Sequence, residues 1–361
     1  MKNKKILELC LSPGLGGLEM FVSHCYEHFS NKSECFVAVA PKSKLDSYLE
    51  GVEKFYVKRS KFFPLAPALA LAKYIDKHDI DILHFHWNKD SITAVLAKVL
   101  SKKKPRLVQS RHMGMTRFKD DVFHRWIYKN IDLIHAVTKE VKSQLEKFIP
   151  SSVRPQLEVV YLGVNKQKVD REVVEELRKK YQIEDDFVVG IVGRIERPKG
   201  QYKLIEALHR LKEKKIKLFI VGDAMEASYL ESLKQRVVEL GLEDRVTFTG
   251  FTKNVAEYMQ LFDVNVLATE HETFGLVVIE AMAEGIAVIA TAKGGPLEII
   301  DDGVDGLLFD GSSVDLGKKI ELLYDDVVLR EQLVKKALKK VKEKFDKQKQ
   351  LGELYNVLTE I

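Results

Sequence analysis

Short apolar, β-branched runs alternate with longer helical patterns along this chain of 361 residues, and the alternation starts twice. Nearly continuous apolar strands separated by helices are typical of a parallel sheet covered on both faces. We therefore predict two doubly wound α/β units in tandem. The predicted strands are residues 5–11, 35–40, 80–86, 107–110 and 133–138 in the first series, and residues 187–192, 218–222, 246–249, 264–267 and 287–291 in the second.

The length of the chain also favours two domains, because it exceeds one compact core of usual size. We place the hinge near residue 165. The predicted domains are two Rossmann-like units, residues 1–165 and 166–340, and a C-terminal helix, residues 341–361, that packs back on the N-terminal domain. Open α/β sheets bind ligands at the carboxyl ends of their strands, so two such units facing each other predict a ligand site in a central cleft.

The net charge differs between the two halves. Residues 1–160 hold 27 Lys and Arg against 17 Asp and Glu, a net charge of +10, whereas the remaining residues hold 31 against 36, a net charge of −5. The basic residues of the first half are predicted to face anionic lipid headgroups or an anionic acceptor, or else to form a solvated surface. They include Lys102, Lys103, Lys104, Arg106, Arg111, Arg117, Lys119, Arg125 and Lys129. No recognised nucleic-acid-binding motif occurs, so nucleic acid is not an expected partner.

The sequence favours a cytoplasmic protein. Glu8 interrupts the first apolar run, which argues against a secretory leader, and no apolar stretch approaches the roughly 20 residues that span a bilayer. Cys10, Cys25 and Cys35 are an odd number without metal-ligand spacing, so we expect reduced thiols. The expected localisation is the cytoplasm, with a peripheral contact at the cytosolic membrane face as a further expectation.

Two carboxylates, Glu272 and Glu280, bracket a Phe274-Gly275 turn that leads into an apolar helix at Leu276. Glycine allows the backbone to approach a ligand closely, and the amides at a helix N-terminus bind anions. Each acid can then hold hydroxyl groups on one side of that anion. A diphosphate with a sugar at each end, as in a nucleotide-sugar, fits this pattern. The alternative is a buried helix with two incidental surface acids.

Arg194 and Lys199 follow the first strand of the second series and precede a helix predicted to begin near Gln201. Two cations beside a helix N-terminus can neutralise a diphosphate without a metal, the arginine as a fork and the lysine as a point charge. The alternative is a pair of surface charges in a loop.

A glycine-rich loop containing Gly14, Gly16 and Gly17 follows the first strand. It is not the dinucleotide fingerprint, because the third glycine of that motif would fall at Glu19, so NAD binding is disfavoured. The loop is either a tight turn or a segment whose amides approach a phosphate or a sugar.

Histidines and acids near the strand ends are candidate ligands. Asp79 and Asp81 precede a strand, so a metal role at the cleft is disfavoured. His84 and His86 share one strand face, a geometry that can bind zinc, but no third ligand is apparent, and a polar pair lining the cleft is the preferred interpretation. His112 follows a strand and is predicted to point into the cleft and contact substrate.

Taken together, these motifs resemble those of the retaining nucleotide-sugar glycosyltransferases of family 4, which have the GT-B fold of two Rossmann-like domains. The segment 16–19 resembles the family's G-G-x-E loop, Gly193-Arg194 with Lys199-Gly200 its diphosphate clamp, and Glu272 with Glu280 its E-x7-E spacing. The segment 294–298 extends the pattern. Residues 161–165 depart from the usual Asn-Gly-x-Asp turn, which affects only turn geometry.

The resemblance implies an acceptor-binding N-terminal domain and a nucleotide-sugar-binding C-terminal domain. Arg194 and Lys199 would stabilise the departing diphosphate in place of a metal, Glu272 would orient the donor sugar and Glu280 would hold the ribose. The implied catalytic residues are His112, Arg194, Lys199 and Glu272. The implied donor-binding residues are Gly16, Gly17, Arg194, Lys199, Phe251, Glu272, Phe274, Gly275, Leu276 and Glu280, with base recognition near residues 250–253. No metal and no cofactor are expected.

The implied reaction moves a hexose or heptose from a UDP-, GDP- or ADP-linked donor to lipopolysaccharide or another lipid-linked surface glycan. No carboxylate is a clear nucleophile, so front-face attack is the expected mechanism of retention. Residues 58–64, which include Phe62 and Phe63, would add to the membrane contact, or these two side chains are buried. The alternatives are transfer to a small soluble acceptor, a sugar-nucleotide epimerase or a phosphorylase on the same fold, and a binding protein without activity.

Overall fold

The computed structural model describes residues 4–60 and 64–360. Phe62 and Phe63, for which the sequence suggested membrane contact or burial, lie outside the described residues. The chain divides into two compact units, one formed by Met1–Leu162 with Lys347–Ile361 and the other by Gly163–Asp346. Each unit is an α/β domain built on a parallel sheet, as the alternation of strand and helix patterns predicts.

The sheet of the first unit has seven strands in the order β3-β2-β1-β4-β5-β6-β7. The strand order reverses direction between the neighbouring strands β1 and β4, which is where sheets of this type bind ligands. The strands are β1 Ile6–Cys10, β2 Cys35–Val39, β3 Lys54–Tyr56, β4 Ile82–Phe85, β5 Arg106–Arg111, β6 Leu133–Ala136 and β7 Gln156–Val159.

The sheet of the second unit has six strands in the order β10-β9-β8-β11-β12-β13, with the corresponding reversal between β8 and β11. The strands are β8 Phe187–Val192, β9 Ile216–Val221, β10 Val246–Gly250, β11 Val264–Leu267, β12 Ala287–Thr291 and β13 Leu307–Phe309. Their buried apolar side chains pack against those of the flanking helices to form the core of this unit.

Helices connect the strands of both sheets. They are α1 Gly17–Ser30, α2 Lys44–Tyr48, α3 Leu65–His78, α4 Ser91–Leu100, α5 Val122–Asn130, α6 Lys139–Phe148, α7 Arg171–Lys180, α8 Gln201–Arg210, α9 Ala227–Glu239, α10 Val255–Met259, α11 Leu276–Ala283, α12 Pro296–Ile299, α13 Ser313–Asp325, α14 Val327–Lys344 and α15 Lys347–Thr359. Among the described residues, none of these helices combines the length and the apolar character that crossing a bilayer requires.

The last helix, α15, belongs to the first unit and packs on α1. The rings of Phe29 and Tyr355 have centroids 5.6 Å apart, and the hydroxyls of Ser33 and Tyr355 are 2.5 Å apart. The Lys32 ammonium lies 5.1 Å from the centroid of the same tyrosine ring. The C-terminal helix is therefore anchored to α1 of the first unit.

All ten predicted strands are confirmed, and three strands were missed. The missed strands β3, β7 and β13 are three or four residues long and lie at sheet edges. Short edge strands carry few buried apolar residues, so their periodic signal is weak.

Candidate functional site

Three turns of the second unit meet beside the N-terminus of α11. The backbone N–H of Glu270 donates to the Pro198 carbonyl over 3.0 Å, and the N–H of Gly295 donates to the Glu272 carbonyl over 2.9 Å. The segment 270–275 is therefore held between the turn that follows β8 and the turn that follows β12. All three turns carry motifs that the sequence analysis singled out.

Glycine is required at two places in this arrangement. Gly275 has a φ of +101°, a left-handed conformation that side chains rarely adopt, and it precedes the first residue of α11. A Cβ atom at Gly295 would lie 2.2 Å from the carbonyl oxygen of Phe274, so any side chain there would displace the Phe-Gly turn. Close backbone packing thus places the N-terminus of α11, where the first amides of a helix lack carbonyl partners of the preceding turn, at this edge of the sheet.

Lys199 and Glu272 are in direct contact. The lysine Nζ donates to Oε2 of Glu272 over 3.2 Å, and both side chains are partly buried. Lys199 ends a single 3₁₀ turn, Arg197–Lys199. A Cβ atom at the following residue, Gly200, would lie 2.4 Å from the carbonyl oxygen of Ala268, so this turn sits against the end of β11. The structure therefore brings together two residues that the sequence placed in separate motifs.

Arg194 occupies a more open position. Its side chain is 62% exposed and pairs with Glu196 over 3.0 Å. Its carbonyl oxygen accepts a hydrogen bond from Nε2 of Gln201, which ties the loop to the first turn of α8. Phe251, at the end of β10, is 73% exposed. Both side chains are accessible to a ligand at the carboxyl edge of this sheet.

Glu280 lies within α11 and is half-buried. Burial raises the pKa of its carboxyl group. Within residues 4–60 and 64–360, no hydrogen bond or ion pair holds this carboxylate. This half-buried carboxylate is therefore available to a ligand that donates hydroxyl groups.

The first unit contains a buried polar cluster that the sequence only partly predicted. Glu8 of β1 contacts two histidines through its two carboxylate oxygens: Oε1 lies 3.0 Å from Nδ1 of His84, and Oε2 lies 2.6 Å from Nε2 of His86. The cluster continues from Nε2 of His84 to Ser110 Oγ over 2.8 Å, and from Ser110 Oγ to Nδ1 of His135 over 2.7 Å. It ends where Nε2 of His135 donates to the Val160 carbonyl over 2.7 Å.

Burial and mutual contact shift the pKa values of this cluster. Burial alone would raise the pKa of Glu8, but the charge and hydrogen bonds of His84 and His86 lower it to about 2. Burial lowers the pKa of His86 to about 4 and that of His135 to about 3. Burial likewise holds the pKa of His112 well below its usual range. These last three imidazoles are therefore neutral at pH 7.

The interpretation of His84 and His86 as polar residues lining a cleft is wrong. Both side chains are buried in the first unit, and their partner is Glu8, which the sequence analysis did not connect with them. The signal available in the sequence was Glu8 itself, a charged residue in the middle of an apolar strand. Glu8, His84 and His86 place potential ligand atoms within 4.8 Å of one another, a donor set that zinc accepts. The distances from the Glu8 carboxylate to His86 and to His84, 2.6 and 3.0 Å, are those of hydrogen bonds.

The remaining predicted site residues of the first unit lie near this cluster. Gly16 caps the N-terminus of α1 and Gly17 is its first residue. His112 follows β5 and is half-buried, and its ring packs edge-on against Phe21 of α1, with centroids 5.1 Å apart. Asp79 and Asp81, by contrast, both pair with Lys103 before β4.

Comparison with known proteins shows the family. The model for glycosyl transferases group 1 matches residues 173–340, and the model for glycosyltransferase family 4 matches residues 15–168. A putative glycosyltransferase of Bacillus subtilis, EpsD, is 30% identical to this chain, and the aligned region covers 81% of this chain and 80% of EpsD. The chain therefore belongs to the family 4 glycosyltransferases.

Two further proteins show how far the similarity extends. The N-acetyl-alpha-D-glucosaminyl L-malate synthase of Bacillus anthracis is 27% identical over 82% of this chain and 79% of its own. The crystal structure of HepE from Anabaena, in complex with UDP and glucose, superposes with a TM-score of 0.85 at 23% identity and covers 99% of this chain and 100% of HepE. This likeness shows the GT-B fold, with its two Rossmann-like domains.

Proposed function

We propose that this glycosyltransferase is a retaining, metal-independent enzyme that takes a hexose or heptose from a nucleotide-sugar. The observation that carries the proposal is the contact of Lys199 with Glu272 beside the N-terminus of α11. It joins a cation for the diphosphate, a carboxylate for sugar hydroxyls and the first backbone amides of α11 within one unit. Together these groups match a complete sugar diphosphate better than they match a sugar alone or a diphosphate alone.

The chemistry follows from the charge that develops during transfer. As the bond between the anomeric carbon and the phosphate oxygen breaks, negative charge grows on the diphosphate and positive charge on the sugar. Arg194, Lys199 and the α11 amides stabilise the first charge, so no metal is required for that purpose. Glu272 orients the sugar through its hydroxyl groups, and Glu280 accepts hydrogen bonds from the ribose.

Retention follows from front-face attack. The acceptor oxygen bonds to the anomeric carbon on the face from which the diphosphate departs, and the departing phosphate oxygen takes the acceptor's proton. This route needs no carboxylate nucleophile, and we assign none. His112 keeps the role that the family resemblance gives it, a contact with the donor sugar.

We propose a lipid-linked surface glycan, such as lipopolysaccharide, as the acceptor. The supporting feature is an exposed apolar surface of the first unit, formed by Phe118, Val122 and Phe123. Lys119 and Arg125 lie beside it in the chain, and Arg125 pairs with Asp120. Val122 is 85% exposed and Phe118 67% exposed. Apolar side chains flanked by cations suit the interface of an anionic membrane. Sedimentation with phosphatidylglycerol vesicles, but not with phosphatidylcholine vesicles, is the expected result.

A small soluble acceptor is the second candidate. It is favoured by the B. anthracis relative, whose name specifies L-malate as the group that receives the sugar. Failure of both vesicle types to retain the protein would favour this candidate over the lipid-linked one. Membership of the glycosyltransferase family favours transfer over epimerisation for either acceptor.

Thermal stabilisation by nucleotides tests the donor site. UDP, GDP, ADP and their common sugar conjugates are added to the purified protein with and without EDTA. UDP is the first choice, because the similar HepE structure is a complex with UDP and glucose. Selective stabilisation by one nucleotide that persists in EDTA is expected, and no stabilisation by any of them would contradict the proposal.

A further inference from the structure

Lys203, in the first turn of α8, is buried in the second unit. It is 6% exposed, and no other lysine in residues 4–60 and 64–360 is as buried. The next two residues of the helix, Leu204 and Ile205, belong to the apolar core of the unit. Burying an ammonium group is costly, so a lysine at a position that suits an apolar residue indicates a function for its charge.

The ammonium of Lys203 reaches the segment that follows β11. Nζ donates to the carbonyl oxygen of Ala268 over 3.4 Å and lies 5.8 Å from the centroid of the Tyr202 ring. Burial lowers the pKa of Lys203, and the negative charge of Glu270 opposes this lowering. The positive charge of Lys293, in the turn after β12, adds to it. A carboxylate of the segment is therefore close enough to favour the charged form of the lysine.

The segment from Ala268 to Glu272 is neither strand nor helix, so other contacts must hold it in place. One is the backbone hydrogen bond from the N–H of Glu270 to the Pro198 carbonyl. A second is the hydrogen bond between Glu270 and the hydroxyl of Tyr202, which together with burial raises the pKa of this tyrosine. Side chains from the first turn of α8 therefore supplement a single backbone contact.

We propose that Lys203 is a positioning residue that holds Glu272 in place during transfer. The inference rests on the proposed function, in which Glu272 orients the donor sugar. In the free protein, Glu272 is held by its ion pair with Lys199. A diphosphate that binds Lys199 weakens this ion pair, and the segment then depends on its remaining contacts. The buried bond from Lys203 to Ala268 lies away from the diphosphate and persists, four residues before Glu272.

Lys217 is a matched control in the same unit. It lies near the start of β9, and its Nζ donates to the carbonyl oxygens of Tyr181 and Gln182 over 2.8 and 2.6 Å. The amino ends of parallel strands lie at the edge of the sheet opposite to the candidate site. Both lysines therefore bond carbonyl groups of neighbouring segments, but Lys203 alone does so beside the residues of that site.

Lys203→Met removes the ammonium group and keeps an unbranched side chain of similar length. It is compared with Lys217→Met, with Glu272→Gln and with the double variant Lys203→Met/Glu272→Gln. The thermal midpoint, the affinity for the nucleoside diphosphate that stabilises the wild-type protein, and kcat for nucleotide release from its sugar conjugate are measured. The double variant tests the route of the effect, because a residue that acts through Glu272 has little influence once Glu272 is replaced.

Lys203→Met is expected to lower kcat about tenfold, which corresponds to about 1.4 kcal/mol, because a misplaced sugar reacts more slowly. The affinity for the nucleoside diphosphate should stay within about twofold of the wild-type value. The thermal midpoint should be unchanged or higher, since an apolar side chain replaces a buried charge. In the Glu272→Gln background the same substitution should change kcat by about twofold or less. Lys217→Met should instead lower the thermal midpoint and retain kcat.

An unchanged kcat in Lys203→Met would overturn the inference, whether or not the thermal midpoint falls. A full tenfold loss in the Glu272→Gln background would also overturn it, because the two residues would then act independently. Absence of both nucleotide stabilisation and nucleotide release in the wild-type protein would instead refute the proposed function.

Discussion

Nζ of Lys199 lies 3.2 Å from Oε2 of Glu272, although the two residues are 73 positions apart in the chain. Each comes from a different turn, and each turn is fixed by backbone packing around the N-terminus of α11. This ion pair positions the ammonium and the carboxylate before a ligand binds. A diphosphate would compete for the lysine, and sugar hydroxyl groups would occupy the carboxylate.

Glu272→Gln is expected to lower kcat about 100-fold, because loss of the carboxylate that orients the donor sugar misplaces the anomeric carbon, and a misplacement of about 1 Å can cost about 10²-fold in rate. The substitution preserves side-chain size, so the thermal midpoint of the free protein should change little. Nucleoside diphosphate release is the measurement. Glu231→Gln, whose side chain is 67% exposed, is the matched control and should retain full activity.

Lys199→Ala is expected to weaken binding of the nucleoside diphosphate about tenfold, since a charge-assisted hydrogen bond contributes about 1.5–3 kcal/mol. Arg194→Ala should have a similar effect, because the exposed guanidinium group of Arg194 can reorient toward a phosphate. Titration calorimetry measures both affinities. Lys234→Ala, on α9, serves as the control, and equal affinities in all four proteins would remove Lys199 and Arg194 from the donor site.

Gly295→Ala is expected to abolish nucleotide stabilisation, because its Cβ atom would lie 2.2 Å from the Phe274 carbonyl oxygen and displace the Phe-Gly turn. Gly317→Ala within α13 is the control, since a Cβ atom there would meet its nearest neighbour at 3.8 Å. That control should be neutral or stabilising by up to about 1 kcal/mol. Thermal shifts with and without nucleotide measure both effects, and intact stabilisation in Gly295→Ala would show that the turn is not part of the site.

The first unit is expected to lose stability as the pH falls from 7.5 to 5. Burial lowers the folded-state pKa of His86 to about 4 and that of His135 to about 3, so the unfolded chain binds protons in this range and the folded one does not. At pH 5 each histidine then costs about 2 kcal/mol of the free energy of unfolding.

Tryptophan fluorescence during urea unfolding measures this loss, because Trp87 and Trp126 both belong to the first unit. The lowered pKa of Glu8 acts in the same direction below about pH 4.5. His135→Gln should reduce the pH dependence, and a urea midpoint that stays constant between pH 7.5 and 5 would contradict the assigned pKa shifts.

The sequence predicted the central strands and the turns of the candidate site because both carry local signals. Strands such as β8 and β12 are continuous apolar runs, and Gly275 and Gly295 mark turns directly. The contact of Lys199 with Glu272 was not predicted, since it depends on how three turns pack.

The Glu8 cluster was missed for a different reason. It depends on the register between strands that are far apart in sequence, which pairs Glu8 with His84 and Ser110 with His135. No local pattern specifies that register. The acid within β1 was visible, but its partners could not be identified before the strand order was known.

The most direct test of the central claim is nucleoside diphosphate release from UDP-glucose, GDP-mannose and an ADP-linked heptose in the presence of EDTA. The wild-type protein is expected to release the nucleotide from one of these donors at an EDTA-insensitive rate, and Glu272→Gln is expected to suppress this release. Release that requires a divalent metal, or that persists undiminished in Glu272→Gln, would contradict a metal-independent donor site built on Lys199 and Glu272.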